Sequence, residues 1–439
     1  MKLAALGCLG VLIFLLVVAG FFAMPHLYFG PKYPEIDPAS EFYDFALELN
    51  GLTEGDSFDN AAAYYRLQET YEELAERTEL LVTISGVRYL PWVVSEGDAA
   101  DLSTELREDI DAAVLDGDYA DIDAAIDELI TRPLVLPRER GEIFELGFID
   151  PRSSVLERGV FRLLQKRAKL AIARNDVQTA VDLIIKLRRY LLSTAAEPAT
   201  FFFQSNANER FHTDSLAVAL VLSRKPDLDM LEQLAITWQA DSPLSVRDVL
   251  RGERWVAHEL LGDLNGKSIL KRDNADAIRH RVDEYYEEFD AYVALSRQGQ
   301  RGSEEPDVDP DEWGEVFYKV FLPLDKILNR EALLETKSRV ARTVIAIERH
   351  RLTTGSLPTT LDELVPKYLD AVPRDIDADR PLTYRLDDAS KHGYILYAVG
   401  RDGEDNGGKL EPDMRSIDPI VRHGSAFGYD AVFVGPGVP

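Results

Sequence analysis

The sequence predicts a mainly α fold in three parts: an N-terminal transmembrane helix, a helical-bundle body and a small C-terminal α+β module. Three observations predict it. An uncharged apolar run lies near the N-terminus, apolar residues recur at helical spacing through most of the chain, and short β-like runs follow Gly355. The chain has 439 residues, 46% of them hydrophobic, which is enough for a sizeable core.

The first predicted element is the apolar helix over residues 3–24. About 22 residues rising 1.5 Å each would cross a hydrocarbon core of roughly 30 Å. The apolar region of a cleavable signal is shorter, about 7–15 residues, so retention as an anchor is favoured, while the small residues at 19–23 leave cleavage open. Lys2 predicts a cytoplasmic N-terminus, hence a single-pass protein of the cell membrane with an extracytoplasmic (periplasmic) body.

Cysteine content and charge limit the possible partners. Cys8 is the single cysteine, so no intrachain disulfide or cysteine metal site is expected, and its place inside the apolar run disfavours lipidation. The chain carries 49 Lys and Arg against 77 Asp and Glu, a formal net charge of −28. Because phosphates would be repelled, nucleic acid is excluded, whereas cations and basic proteins remain possible partners.

A proline-rich stalk over residues 25–40 leads into the helical body, residues 41–297. The clearest pattern in this body is a helical hairpin of residues 154–174 and 177–192, with its turn at Asn175-Asp176. The acidic stretch 98–130 breaks at residues 116–118, which predicts another turn. Further helices are predicted over residues 61–81, 201–222, 229–240, 246–261 and 275–295.

The C-terminal module follows an acidic linker predicted at residues 298–312. The module, residues 313–439, begins with a helix at 330–351 and continues with β-like runs at 382–386 and 394–399. Thr360 and Glu363 have the spacing of a capping box, which predicts a short helix starting there.

Residues from about 331 onward carry a series of short motifs in a fixed order. They read L-T-T-G-S-L-P-T-T at 352–360, P-K-Y-L at 366–369, V-P-R-D at 372–375 and R-D-G-E-D-N-G-G at 401–408. This series resembles the globular part of the major pseudopilin of type II secretion, the G subunit. The last motif is similar to the calcium-loop segment of that family.

The resemblance implies a structural calcium site formed by Asp402, Asp405, Asn406 and Asp430. Hard oxygen donors on a glycine-rich loop are what calcium prefers, and Asp413 and Asp418 are competing ligands. A solvated acidic turn is the alternative interpretation, because Asp and Gly are common turn residues.

Two departures from the pseudopilin pattern concern assembly. The apolar run of residues 3–24 contains no glutamate, and only Met1 and Lys2 precede it. Roughly 300 residues also separate this run from the similar module, so one helix cannot join the two as it does in a pilin. We therefore expect a non-assembling module.

The sequence contains no strong catalytic motif. It has no Gly-x-Ser-x-Gly, Walker, Rossmann or His-Glu-x-x-His pattern, and its seven histidines do not pair at metal-ligand spacing. We expect a non-enzymatic envelope scaffold that binds a protein partner. Two alternatives are an accessory component of a secretion or pilus-like system, and a hydrolase using His258 or the polar cluster at residues 206–214.

Overall fold

The fold is described from a computed structural model. The chain divides into two compact units, Met1–Asp37 and Pro38–Pro439, and every described residue belongs to the second. The described residues are 38–84, 87–94, 102–135, 151–196, 200–239, 245–266, 275–296, 324–376, 379–399, 404–408 and 431–434.

Most of the described residues are helical, as the sequence predicts. In chain order, helices α1 to α11 are Pro38–Asn50, Glu54–Arg77, Thr104–Leu115, Ala120–Leu129, Pro151–Ala173, Val177–Thr194, Thr200–Arg224, Leu228–Gln239, Val246–Gly266, Ala275–Ser296 and Leu324–Thr354. The predicted linker at residues 298–312 lies outside the described part of the chain.

The transmembrane part of the predicted fold class needs correction. Among the helices that the structure describes, none is both long enough and apolar enough to span a bilayer. The helix predicted over residues 3–24 lies outside the described residues, and α1 begins at Pro38, inside the predicted stalk. The supported fold class is therefore mainly helical with a small C-terminal sheet, and the transmembrane helix has no support in it. The membrane location rested on that helix.

The predicted helical hairpin is confirmed as α5 and α6. Asn175 adopts a positive φ of 62°, a conformation that asparagine tolerates better than most residues. Asp176 then caps α6, because its side chain accepts a hydrogen bond from the backbone N–H of Thr179 at 3.3 Å. A two-residue turn is enough to bring the apolar faces of α5 and α6 together in the core.

Helix α2 begins earlier than predicted, at Glu54. Thr53 and Asp56 form a reciprocal capping box: Asp56 N–H donates to the Thr53 hydroxyl, and Thr53 N–H donates to the Asp56 carboxylate at 3.0 Å. Asn60, which directly precedes the predicted start at residue 61, lies inside the helix, and its side chain donates to the carbonyl of Pro133 at 2.6 Å.

Two small antiparallel pairs accompany the helices. Strands β1 (Val82–Ile84) and β2 (Val87–Tyr89) pair after α2, and neither was predicted from the sequence. Strands β3 (Arg374–Asp375) and β4 (Arg380–Pro381) pair after α11. These four strands have only two or three residues each, which gives too little alternation to identify a strand from the sequence.

A three-stranded antiparallel sheet closes the fold. Its central strand β6 (Tyr394–Ala398) pairs with β5 (Thr383–Leu386) on one side and with β7 (Ala431–Val434) on the other. All five β6 residues are buried, and Leu396 belongs to the same hydrophobic core as Ile184 of α6 and Val344 of α11. Helix α11 therefore connects the helical core to the sheet.

The predicted capping box at Thr360 and Glu363 is wrong. Thr360 occupies the N-cap position, but its side chain makes no capping hydrogen bond. The neighbouring Thr359 hydroxyl instead donates to the Glu363 carboxylate. The segment that follows, Leu361–Leu364, is a single 3-10 turn, whose tighter winding differs from the α-helical first turn that a capping box fits.

Candidate functional sites

The predicted calcium site is only partly within the described residues. Asp402 and Asp430 lie outside them, whereas Asp405 and Asn406 are described. Asn406 donates from its side-chain nitrogen to the carbonyl of Glu404 at 3.2 Å. The structure therefore describes two of the four proposed ligands, and the site as a whole stays a prediction.

Asp405 is held by donors from the protein itself. Its Oδ1 accepts hydrogen bonds from the Tyr397 hydroxyl at 2.8 Å and from Gly407 N–H at 2.9 Å. Its Oδ2 lies 3.5 Å from Nη2 of Arg380. The Gly407 and Tyr397 bonds lower the pKa of this carboxyl, so it is ionised at neutral pH.

The described residues include only part of the predicted calcium donor set. Among them, no group of three or more His, Cys, Asp and Glu side chains is arranged to hold a metal ion. The negative charge of Asp405 is already matched by Arg380. A calcium ion at this loop would need the other two predicted carboxylates, Asp402 and Asp430, as ligands.

The polar cluster predicted at residues 206–214 contributes two residues, Asp214 and Arg210, to a buried site. The Nη1 atom of Arg188 donates to Asp214 Oδ1 at 3.2 Å, and the Trp238 indole N–H donates to the same oxygen at 2.8 Å. The other terminal nitrogen of Arg188 donates to the Ser338 hydroxyl at 3.1 Å. One carboxylate and one guanidinium thus join four helices, α6, α7, α8 and α11.

We call this site the buried ionic cluster, and two more cations belong to it. Arg210 and Lys337 are both buried, and Lys337 Nζ lies 2.8 Å from the centre of the Phe211 ring. Burial lowers the pKa of Arg210 to about 10, which leaves it protonated at neutral pH. Burial raises the pKa of Asp214, against the opposing effect of Arg188.

The enclosure of Asp214 limits what the cluster can do. Only 3% of Asp214 is exposed, so a substrate in solution cannot reach its carboxylate. Its chemistry is that of a charged clamp between helices: Asp214 accepts from Arg188 of α6 and Trp238 of α8, and Arg188 also donates to Ser338 of α11.

His258 lies in a line of ion pairs between α9 and α10, which we call the charge ladder. His258 Nε2 is 2.7 Å from Asp283 Oδ1, and Arg254 Nε donates to the same oxygen at 2.6 Å. Arg247 lies seven residues before Arg254, Asp290 lies seven residues after Asp283, and Arg247 donates to Asp290. The matching spacing shows that α9 and α10 run antiparallel with their charged edges aligned.

The charge ladder is electrostatically favourable. Burial acts to raise the pKa of Asp283, but the hydrogen bonds from His258 and Arg254 outweigh it and lower the pKa. The ring of His258 also packs against Trp255 of the same helix, with 6.0 Å between the ring centres. The described contacts of His258 are thus with its own helix and with Asp283 of α10. The structure thus places His258 in helix packing.

A second histidine, His350, was not singled out by its sequence context. Its Nδ1 lies 3.1 Å from the carbonyl oxygen of Ser356, and its ring packs edge-on against Tyr368 at 5.9 Å. Its Nε2 is 3.8 Å from the Glu363 carboxylate. His350 therefore fastens the end of α11 to the loop that leads to the sheet.

Helix α2 carries an exposed aromatic pair. Phe58 is 57% exposed and Tyr65 is 63% exposed, although Leu67 and Leu74 on the other side of the helix are buried. Tyr64 packs inward, and its neighbour Tyr65 turns outward. Helical spacing in the sequence indicates this arrangement. Tyr64, Leu67 and Leu74 lie on one face of the helix, whereas Phe58 and Tyr65 lie on the opposite face.

These sites belong to a mainly helical protein in which the described buried charges hold helices together. Comparison of the chain with protein-family models, with curated proteins and with solved structures gives no match. The pseudopilin resemblance of the C-terminal residues therefore stays a prediction.

Proposed function

We propose that this chain is a non-enzymatic helical scaffold that binds a protein partner through the outer face of α2. The observation that carries the proposal is the exposed pair Phe58 and Tyr65, two helical turns apart on one line of α2. Single exposed apolar residues are common on protein surfaces, but aromatic side chains aligned on one face are typical of protein contacts.

The surroundings of the polar candidates support a structural role for them. Asp214 is enclosed by Arg188 and Trp238, and His258 is bound to Asp283. A hydrolase with its site at Asp214 or His258 would need these groups to face a cleft and contact a substrate. Their internal partners favour the scaffold over that alternative.

The proposal can be tested by photo-crosslinking in the native host. A benzoylphenylalanine residue replaces Tyr65 in the full-length chain, and the matched control carries it at Ile236 of α8, which is 64% exposed. We expect a discrete protein adduct from position 65 that position 236 does not give. Identical products from both positions, or none from position 65, would contradict the proposal.

A second candidate is an accessory component of a secretion or pilus-like system. It is supported by the position of the similar motifs at residues 366–369 and 372–375, which follow the long helix α11 and precede strands β5 and β6. This candidate requires secretion subunits to co-purify with the full-length chain from detergent extracts. Their absence from the Tyr65 adduct and from the extract would remove it.

A further inference from the structure

The aromatic pair is one end of a longer exposed line on α2, which we call the α2 stripe. Its members follow one another at spacings of four and three residues in alternation, which is the spacing of a coiled-coil seam. All six are exposed: Phe58, Ala62, Tyr65, Glu69, Glu72 and Glu76. At about 100° per residue, these positions stay within one narrow face of the helix.

The α2 stripe is divided by chemistry into two halves. Phe58, Ala62 and Tyr65 form an apolar half near the start of α2, and three glutamates form an acidic half near its end. Glu72 accepts a hydrogen bond from Gln68 of the same helix at 3.0 Å. Within the described part of the chain, Glu69 and Glu76 make no ion pair, so their charges face solvent.

We infer that the α2 stripe binds an amphipathic basic helix of a protein partner. Apolar side chains of that helix would cover Phe58 and Tyr65, and Lys or Arg side chains would face the three glutamates. This inference rests on the proposed function and adds the chemical class of the partner. The alternating spacing lets side chains of two helices interdigitate, and the opposite charges fix how the two helices align.

Charge argues against a second copy of this chain as the occupant. Parallel pairing of two α2 stripes would place glutamate against glutamate, and antiparallel pairing would place glutamates against Phe58 and Tyr65. Either arrangement is unfavourable, because like charges repel and a carboxylate loses hydration against an aromatic ring. The net charge of −28 likewise favours a basic partner.

The test uses the full-length chain and a labelled synthetic helical peptide. The peptide carries leucines in one half and lysines in the other at the spacing of the α2 stripe, and is made in both sequence orders to allow either helix direction. Fluorescence anisotropy measures the dissociation constant at low and at high salt. We expect one of the two peptides to bind, and to bind more weakly at high salt.

Two triple variants separate the stripe from the overall charge. Glu69→Lys with Glu72→Lys and Glu76→Lys reverses the acidic half. Glu105→Lys with Glu108→Lys and Asp109→Lys makes the same charge change at exposed positions of α3. We expect the stripe variant to weaken binding about tenfold and the α3 variant to leave it nearly unchanged. A glutamate version of the peptide is expected to bind the stripe variant.

Each result decides the inference. Equal weakening by both triple variants, or binding of neither lysine peptide, would overturn it. Binding of neutral lipid vesicles through Phe58 and Tyr65 without peptide binding would also overturn it. If the Tyr65 adduct still forms when the glutamates are reversed, the scaffold proposal survives and only the basic class of the partner is wrong.

Discussion

The buried ionic cluster and the charge ladder use the same chemistry in different surroundings. Each has an aspartate that is bonded to an arginine and to one aromatic ring nitrogen. Asp214 in the cluster contacts Arg188 and Trp238, and Asp283 in the ladder contacts Arg254 and His258. The side chains of Arg188 and Asp214 are 1% and 4% exposed, whereas those of Arg254 and Asp283 are 33% and 31% exposed.

The difference in exposure decides how each site contributes to stability. In the cluster, both charges have lost their hydration, so removing one leaves the other buried without the opposite charge that pairs with it. In the ladder, water screens the charges and replaces a lost partner at small cost. An arginine–aspartate pair is therefore required for stable folding in the buried ionic cluster, whereas in the charge ladder it adds only modestly to the free energy of unfolding.

The largest expected effect comes from Asp214→Ala, which leaves the guanidinium of Arg188 buried without its carboxylate. We expect the free energy of unfolding to fall by about 3–5 kcal/mol, measured by urea denaturation of the full-length chain. The double variant Arg188→Met with Asp214→Leu removes both charges and should lose less than the single variant. If Asp214→Ala lowers the free energy of unfolding no more than Asp283→Asn does, burial does not distinguish the two sites.

A smaller effect is expected from Asp283→Asn, which weakens the contacts of Asp283 with both Arg254 and His258. Solvent screening limits the loss of unfolding free energy to about 0.5–1 kcal/mol. The matched control is Glu287→Gln on the same helix, because Glu287 is 72% exposed and 3.9 Å from Arg254. An equal loss in the control would show that Asp283 has no special role.

The Asp283 contribution should also depend on pH with a defined sign. Its pKa in the folded chain lies below the ordinary value of 3.8, so the ionised form is the one that folding favours. The stability difference between the wild type and Asp283→Asn is therefore fully present above pH 3.8 and shrinks as the pH falls through the lowered pKa. Denaturation curves of both proteins from neutral to acidic pH measure it.

Among the predicted calcium ligands, Asp405 has a side chain that is 36% exposed, more than that of Asp283 or Asp214, and the calcium effect should be the smallest. If Asp402, Asp405, Asn406 and Asp430 bind calcium, calcium at a concentration equal to its dissociation constant should raise the melting temperature of the full-length chain over a chelator control, corresponding to about 0.4 kcal/mol. Asp405→Asn should reduce the shift. Identical melting with calcium and with chelator, together with no heat of binding, would remove the site.

Much of the helical fold could be predicted because its signals are local. The α5–α6 hairpin follows from apolar spacing and from the turn at Asn175-Asp176, all within a few residues of one another. The predictions failed where a local signal had two interpretations. An asparagine such as Asn60 before a predicted helix can be its N-cap, but here its side chain lies within α2 and donates to the carbonyl of Pro133.

The candidate sites were much less predictable. Asp214 stood out only as one polar residue among several, and His258 as a histidine on a helix. Their roles depend on partners distant in sequence: Arg188 and Ser338, which are hydrogen-bonded, are 150 positions apart. No periodicity of one helix specifies which other helix will face it.

Patterns within the chain were sufficient for the helical class, for the turns at residues 116–118 and at Asn175-Asp176, and for the acidic character of the chain. Packing was needed to place Asp214 inside and Asp283 near the surface, and to turn Tyr64 inward while Tyr65 faces solvent. The physical reason is range. Helix propensity and capping act over about four residues, whereas burial depends on where helices far apart in the sequence meet.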